Sequence, residues 1–212
     1  MRIYPAAYLK LLAQLCRSFN ILLIADEIAV GFGRTGKMFA FEHSGIDPDI
    51  VCVGKGLSGG YLPISAAVVK EEIYSTFNNS SSDNTFYHGH TFAGNPIAAA
   101  AALETLQIYE DEHIVGSAKH KGEFIGEKMA GIAALKGVHN VRRLGMIAAV
   151  ELDDAGEKGC ARAIAVKQAL LRSGILLRPL GNVIYLMPPL VTPDDLLADT
   201  IRLIGEALES AG

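Results

Sequence analysis

Two short apolar runs constrain the fold of this chain more than any other feature. ILLIA (21–25) and IVCVG (50–54) are almost free of polar residues. A strand with one face in water alternates apolar and polar residues, whereas a strand of a parallel sheet is covered on both faces and is apolar throughout. These runs therefore predict two buried strands of a parallel sheet.

Helical patterns alternate with these strands over much of the chain. A third apolar run, YLPISAAVV (61–69), predicts another strand, and the polar stretch NNSSSDN (78–84) predicts an exposed loop. Apolar residues recur at helical spacing in four segments, which are 1–16, 69–77, 97–112 and 114–135. The alternation of strands and helices predicts an α/β domain.

The pattern changes after residue 135. One or two antiparallel strands are predicted around 137–150, followed by a helix that stops at Gly174. Two further strands are predicted in ILLRPLGNVIYLMPPL (175–190), around a turn at 180–182. Thr192 is the predicted N-cap of the last helix, with Pro193 at its first position. We therefore predict two domains: a large α/β domain over 1–135 and a small α+β domain over 136–212.

Composition narrows the class of protein. The chain has 212 residues, of which half are hydrophobic, and a net charge of -4 without a basic cluster, which argues against nucleic-acid binding. No apolar stretch has the length of a membrane span, and the N-terminus lacks the pattern of a signal peptide. Cys16, Cys52 and Cys160 are widely spaced, which predicts neither a metal site nor a disulfide framework and favours a cytoplasmic location.

Asp26 and Lys55 each follow one of the two apolar strands. Ligands of open α/β sheets bind at the carboxyl ends of the strands. Taken singly, Asp26 could be a turn acid or an N-cap, and Lys55 could be a solvated loop lysine or one partner of a surface pair. Taken together, they suit pyridoxal 5'-phosphate, whose aldehyde combines with a lysine and whose ring nitrogen pairs with an acid. A lysine sheltered at a strand end would also have its amine available as a nucleophile.

A longer pattern surrounds these two residues. ADEIAVGFGRTGKMFAFEHSGIDPDIVCVGKGLSGG (25–60) resembles the central signature of the class III aminotransferases. The resemblance continues through HGHTFAGNPIAAAAALETL, VRRLGMIAAVEL and ILLRPLGNVIYLMPPL. It implies fold type I of the pyridoxal-phosphate-dependent transferases: a partial large domain with a mainly parallel sheet, and a C-terminal small α+β domain.

The resemblance also implies roles for the residues that would hold the cofactor. Lys55 matches the catalytic lysine that forms the Schiff base and moves the substrate proton, and Asp26 matches the partner of the ring nitrogen. Ile28 matches a residue that packs on the ring. Thr91 matches a phosphate ligand that the partner subunit of a homodimer supplies, and His90 lies beside the phosphate, where proline is common.

Three further residues match the substrate site of the family. Gly89 lies beside the substrate, Arg178 matches the arginine that receives a substrate carboxylate, and Tyr185 lines the pocket. Arg34 and Thr35 are predicted to fix the GFGRTG loop by hydrogen bonds. His88 and His90 lack a third ligand at suitable spacing, so no metal site is predicted.

The stretches HGHTFAGNP and RPLGNVIYLMPP resemble the branch of the family that works in biotin synthesis. This implies S-adenosylmethionine as amino donor and 8-amino-7-oxononanoate as acceptor. The alternatives are another ω-amino acid transaminase and a truncated chain that is inactive alone. Since Met1 matches an internal methionine of the family, we expect the N-terminal part of the family's chain to be missing here, with its glycine-rich phosphate loop.

Overall fold

The computed structural model describes residues 1–78, 82–154 and 156–211, so part of the predicted loop 78–84 lies outside the described residues. Its helices are α1 (Ala6–Ser18), α2 (Glu71–Phe77), α3 (Pro96–Asp111), α4 (Ile114–Ala133), α5 (Gly156–Arg172) and α6 (Asp194–Ser210). Its strands are β1 (Ile24–Asp26), β2 (Ile50–Val53), β3 (Ala66–Val69), β4 (Val138–Leu144), β5 (Ile147–Leu152) and β6 (Val183–Leu186). Short 3-10 helices cover Ala40–Ser44, Lys55–Ser58 and Ser82–Asn84.

The chain divides into two compact units. The N-terminal unit comprises Tyr4–Phe32 and Met38–His113, and the C-terminal unit comprises Met1–Ile3, Gly33–Lys37 and the chain from Ile114 onward. Helix α4 therefore packs with the C-terminal unit. The predicted domains placed this helix in the first domain, and their division at residue 135 stays a prediction.

The sheet of the N-terminal unit has the order β1-β2-β3. Strand β1 pairs with β2 in parallel, as the two apolar runs predict, whereas β3 is antiparallel to β2. The expectation that both runs are covered on both faces is wrong for β1, in which Ile24 is 58% exposed. Helix α1 buries none of its residues.

Asp49 ties the beginnings of β1 and β2 together. Its carboxylate accepts hydrogen bonds from the Leu23 backbone N–H at 2.8 Å and from Lys70 Nζ at 3.0 Å. These bonds favour the ionised form, with the Leu23 N–H contributing most, and they hold the pKa of Asp49 below its usual value. The side chain thus fixes the start of the parallel pair, at the end opposite Asp26 and Lys55.

The C-terminal unit is built on an antiparallel sheet with the order β4-β5-β6. The central strand β5 is buried along almost its whole length, because the hydrophobic core forms around it. The fully buried large residues of this core come from the sheet, from the turn between β4 and β5, and from α4, α5 and α6. They include Ile125, Met146, Leu152, Leu170, Ile184, Leu197, Ile204 and Leu208. Burial of these apolar side chains is the main stabilising contribution to the unit.

Two local predictions for this unit are wrong. The segment before Leu180 is not a strand, because Leu180 makes only a lone antiparallel bridge with Val183 and the chain turns at once into β6. Helix α6 begins at Asp194 with Pro193 as its N-cap, so Thr192 is not the cap. The Thr192 hydroxyl instead donates a hydrogen bond to the Pro189 carbonyl at 2.8 Å, which closes the turn before the helix.

A glycine on α4 allows the helix to approach the turn between β4 and β5. A Cβ atom on Gly122 would lie 2.6 Å from the carbonyl carbon of Gly145 and 2.7 Å from its oxygen. The contact is with backbone, so a rotamer change cannot relieve it. Gly131, on the same helix, has no atom within 4 Å of the corresponding position.

We predict that Gly122→Ala and Gly131→Ala change stability in opposite directions. Alanine favours the helix by about 0.8 kcal/mol at either position. At Gly122, overpacking against the Gly145 backbone outweighs this gain and lowers the free energy of unfolding by about 2 kcal/mol. At Gly131 the gain remains. Urea unfolding monitored by circular dichroism measures both, and an unchanged or raised stability in Gly122→Ala would contradict the packing described.

Candidate functional site

The parallel pairing of β1 and β2 brings two predicted site residues to one edge of the sheet. Asp26 is the last residue of β1 and is in register with Cys52 of β2. Lys55 follows two residues after β2 ends at Val53. Both residues therefore lie at the carboxyl ends of adjacent parallel strands, which is where α/β sheets bind ligands.

The carboxylate of Asp26 is exposed and is oriented by the chain that follows it. Its Oδ1 accepts a hydrogen bond from the Ile28 backbone N–H at 3.1 Å. Among residues 1–78, 82–154 and 156–211, no other hydrogen bond to this carboxylate is present. The side chain therefore retains acceptor capacity for a protonated nitrogen of a ligand.

Lys55 has an unusual backbone conformation. Its φ is +45°, a left-handed value that residues other than glycine rarely adopt. Lys55 is also the first residue of the 3-10 helix Lys55–Ser58. In the described part of the chain its ammonium group makes no hydrogen bond or ion pair. The expectation that this lysine is sheltered is wrong: its side chain is exposed, because it lies in the turn beyond the sheet edge.

Ile28 lies at the same edge, and its side chain is half-buried. Its Cγ2 is 3.6 Å from the position that a Cβ on Gly54 would occupy, which is an ordinary van der Waals contact distance. Gly54 directly precedes Lys55. The structure thus brings three of the predicted residues together: Asp26, Ile28 and Lys55.

The predicted residues of the HGHTFAGNP stretch lie in the turn before α3. Gly89, His90 and Thr91 are exposed, and His90 Nδ1 accepts a hydrogen bond from the Phe92 backbone N–H at 3.2 Å. No hydrogen bond or ring contact joins them to Asp26 or Lys55 among the residues that the structure describes. The N-terminus of α3 is capped by the Asn95 side chain.

The last two predicted residues belong to the C-terminal unit. Arg178 is exposed and, in the described residues, its guanidinium has no hydrogen bond or ion pair. Tyr185 is half-buried on β6, in register with Ala149 of β5. The prediction that Arg34 fixes its loop is confirmed, since its guanidinium donates a hydrogen bond to the Pro188 carbonyl. Thr35, in the same loop, is buried.

Glu27 is a buried acid that the sequence analysis did not single out. It is 2% exposed, and its two carboxylate oxygens accept the backbone N–H groups of Ala40 and Phe41, each at 2.9 Å. Burial raises the pKa of Glu27 above its usual value, although the two N–H donors act in the opposite direction. Side-chain alternation could have identified Glu27 from the sequence. Consecutive residues of extended backbone point to opposite faces, so only one of two consecutive acids can face the ligand side.

No group of three or more metal-ligating side chains is found in the described residues, and no helix there is long and apolar enough to cross a membrane. His88 instead packs its ring against Phe86, with 5.5 Å between the ring centroids. The three cysteines are free.

Comparison with known proteins relates the chain to one family. The family model described as aminotransferase class-III matches residues 1–208. The adenosylmethionine-8-amino-7-oxononanoate aminotransferase of Anoxybacillus flavithermus is 40% identical, over 98% of this chain and 47% of the relative. The enzyme of the same name from Geobacter sulfurreducens is also 40% identical, over 100% of this chain and 47% of the relative. The chain thus spans about half the length of the curated relatives it matches.

Solved structures agree with these relatives. The crystal structure of adenosylmethionine-8-amino-7-oxononanoate aminotransferase from Methanocaldococcus jannaschii superposes with a TM-score of 0.93 at 36% identity, covering 99% of this chain and 50% of that one. The ornithine aminotransferase from Toxoplasma gondii, described with partial occupancy of PLP at its active site, gives a TM-score of 0.84 at 34% identity. It covers 98% of this chain and 47% of its own.

We predict that Glu27 makes stability depend on pH above about 4.5. Its folded pKa is raised, so the native state binds the proton more strongly than the unfolded state does. The contribution of Glu27 to stability therefore falls as pH rises from the ordinary pKa of a glutamate through the raised pKa of the folded state, and is constant above it. In Glu27→Gln this fall disappears. Urea midpoints measured from pH 4 to pH 8 test it, with Glu72→Gln, which removes an exposed carboxylate, as control. Parallel pH profiles for wild type and Glu27→Gln would contradict the assignment.

Proposed function

Because this chain belongs to the class III aminotransferase family, we propose that it takes part in transamination with pyridoxal 5'-phosphate as cofactor. The observation that carries the proposal is the pair of Asp26 and Lys55 at the ends of adjacent parallel strands. Neither side chain is engaged by a charged partner in the described residues. A carboxylate and an amine at one sheet edge are the two groups that this cofactor requires.

Lys55, Asp26 and Ile28 would each have a different role in the reaction. When bound, pyridoxal phosphate supplies an electron-withdrawing ring that stabilises negative charge at the reacting carbon of the substrate. Lys55 Nζ would hold the cofactor and would act as the base and acid that moves the proton at that carbon. The Asp26 carboxylate keeps the ring nitrogen protonated by charge and hydrogen bonding. Ile28 would supply an apolar contact for the ring and would exclude water there.

The remaining assignments are proposed on the family resemblance. Thr91 and His90 bind the cofactor phosphate, and Gly89 and Tyr185 line the substrate pocket. Arg178 binds a substrate carboxylate through its planar guanidinium. The exposure of Arg178 without an ion-pair partner in the described chain is compatible with that role. We further propose a homodimer in the cytoplasm, with Thr91 serving the site of the partner subunit.

For the substrates, we propose S-adenosylmethionine as amino donor and 8-amino-7-oxononanoate as acceptor, which gives 7,8-diaminononanoate in biotin synthesis. Support comes from the names of the relatives at 40% identity and of the Methanocaldococcus jannaschii structure. The second candidate is an ω-amino acid transaminase, which the likeness to ornithine aminotransferase favours. The third is a chain that needs a further polypeptide segment for activity.

We predict that the cofactor attaches to Lys55. The chain is incubated with pyridoxal 5'-phosphate, reduced with borohydride and digested, and the labelled peptides are identified by mass spectrometry. The label is expected on the Lys55 peptide, and Lys55→Arg abolishes it there, whereas Lys10→Arg, which alters an exposed lysine of α1, does not. Asp26→Asn should weaken loading about tenfold, since a charge-assisted hydrogen bond is lost. A label spread evenly over the exposed lysines would overturn the proposal.

We predict that S-adenosylmethionine is the preferred amino donor. Transfer to 8-amino-7-oxononanoate is followed by chromatography with S-adenosylmethionine, lysine, alanine, ornithine and 4-aminobutyrate as alternative donors. Lys55→Arg serves as the blank for each donor. Turnover with ornithine or 4-aminobutyrate but not with S-adenosylmethionine would contradict this prediction and favour the second candidate, an ω-amino acid transaminase. Labelling of Lys55 without turnover of any donor would favour the third.

A further inference from the structure

A buried phenylalanine contacts the backbone of the turn that carries Lys55. Phe32 is 4% exposed, and a Cβ atom on Gly56 would lie 2.8 Å from Phe32 Cβ and 3.0 Å from its ring. Gly56 is the residue directly after Lys55. The absence of a side chain at Gly56 therefore lets Phe32 pack directly against the lysine turn.

Phe32 itself adopts a conformation that needs support. Its φ is +55°, again in the left-handed region, which is unfavourable for a residue with a bulky side chain. The hydroxyl of Tyr109, on α3, donates a hydrogen bond to the Phe32 carbonyl at 3.0 Å. The two rings meet edge to face with 6.1 Å between their centroids, and Phe39 packs edge to face on Phe32 at 5.8 Å. The backbone and the ring of Phe32 are thus both held.

The lysine turn is also short and locally bonded. Its backbone is closed by a hydrogen bond from the Leu57 N–H to the Gly54 carbonyl at 3.1 Å. Lys55 sits inside this bond with its own left-handed φ. A residue in a strained conformation persists only where its surroundings determine that conformation. Here the surroundings include the Phe32 side chain, which packs against Gly56.

We propose that Tyr109 is a positioning residue for Lys55. Its hydroxyl holds Phe32 in the left-handed conformation, the Phe32 side chain blocks movement of Gly56, and the turn keeps Lys55 at the sheet edge beside Asp26. Tyr109 and Phe32 act on Lys55 through the backbone and need not touch the cofactor. The inference rests on the proposed function only where Lys55 is given the cofactor.

The first test needs no cofactor. Amide hydrogen exchange of Leu57 reports whether the turn is closed. Tyr109→Phe removes one hydroxyl and is expected to speed exchange at Leu57 about fivefold, the effect of one hydrogen bond. Tyr74→Phe, which removes the hydroxyl of an exposed tyrosine in the same unit, leaves the exchange unchanged. Unchanged exchange at Leu57 in Tyr109→Phe overturns the inference.

The second test measures cofactor loading at Lys55 relative to Lys10 in the same chain. Tyr109→Phe is expected to reduce this ratio about fivefold, and Phe32→Leu, which trims the ring and keeps the carbonyl, to reduce it similarly. Because both residues act on one turn, the double variant is expected to lose little more than either single variant. If the two single variants reduce cofactor loading additively in the double variant, the positioning role is overturned. It is also overturned if loading falls equally at Lys55 and Lys10 and the circular dichroism signal is lost, because the variant is then unfolded.

The two tests separate the proposals. Wild-type chain that does not load Lys55 in preference to Lys10 contradicts the proposed function and, with it, the role of Tyr109 toward a cofactor lysine. Wild-type chain that loads Lys55, with unchanged Leu57 exchange in Tyr109→Phe, supports the proposed function and overturns the positioning role alone.

Discussion

The parallel pairing of β1 with β2 is the constraint on which the candidate site depends. It places Asp26 opposite Cys52, so the chain leaves both strands at the same edge and Lys55 follows within two residues. A shift of one residue in this register would turn the side chains of β1 to the other face of the sheet. Asp49 fixes the register from the opposite end, through the Leu23 N–H and Lys70.

Around that edge, buried groups hold exposed ones in place. Glu27 is inaccessible and binds the backbone of Ala40 and Phe41, whereas its neighbour Asp26 is exposed with acceptor capacity left for a ligand. In the same way the buried Phe32 packs under the turn that exposes Lys55. The division between anchoring and ligand-facing residues follows from the alternation of side chains along a strand and from the turn that follows it.

Most elements were predictable because they depend on local pattern. The helices α3, α4 and α5, the pair β4–β5 and the strand at 50–53 follow from apolar spacing and from glycine stops. The antiparallel direction of β3 and the lone bridge at Leu180 were missed, because apolar spacing marks a possible strand but fixes neither the direction of its pairing nor how many residues pair. The prediction that Thr192 is an N-cap was wrong because its hydroxyl donates a hydrogen bond to the preceding Pro189 carbonyl.

The sequence by itself determined the family and the identity of the candidate catalytic and binding residues, because the order of motifs around Asp26 and Lys55 is visible in the sequence alone. Tertiary structure decided which of these residues meet. Asp26, Ile28 and Lys55 share one edge through strand pairing, whereas Arg178 and Tyr185 belong to the other compact unit. It also decided the left-handed backbone of Lys55 and Phe32, since such conformations arise from packing that residue order does not encode locally.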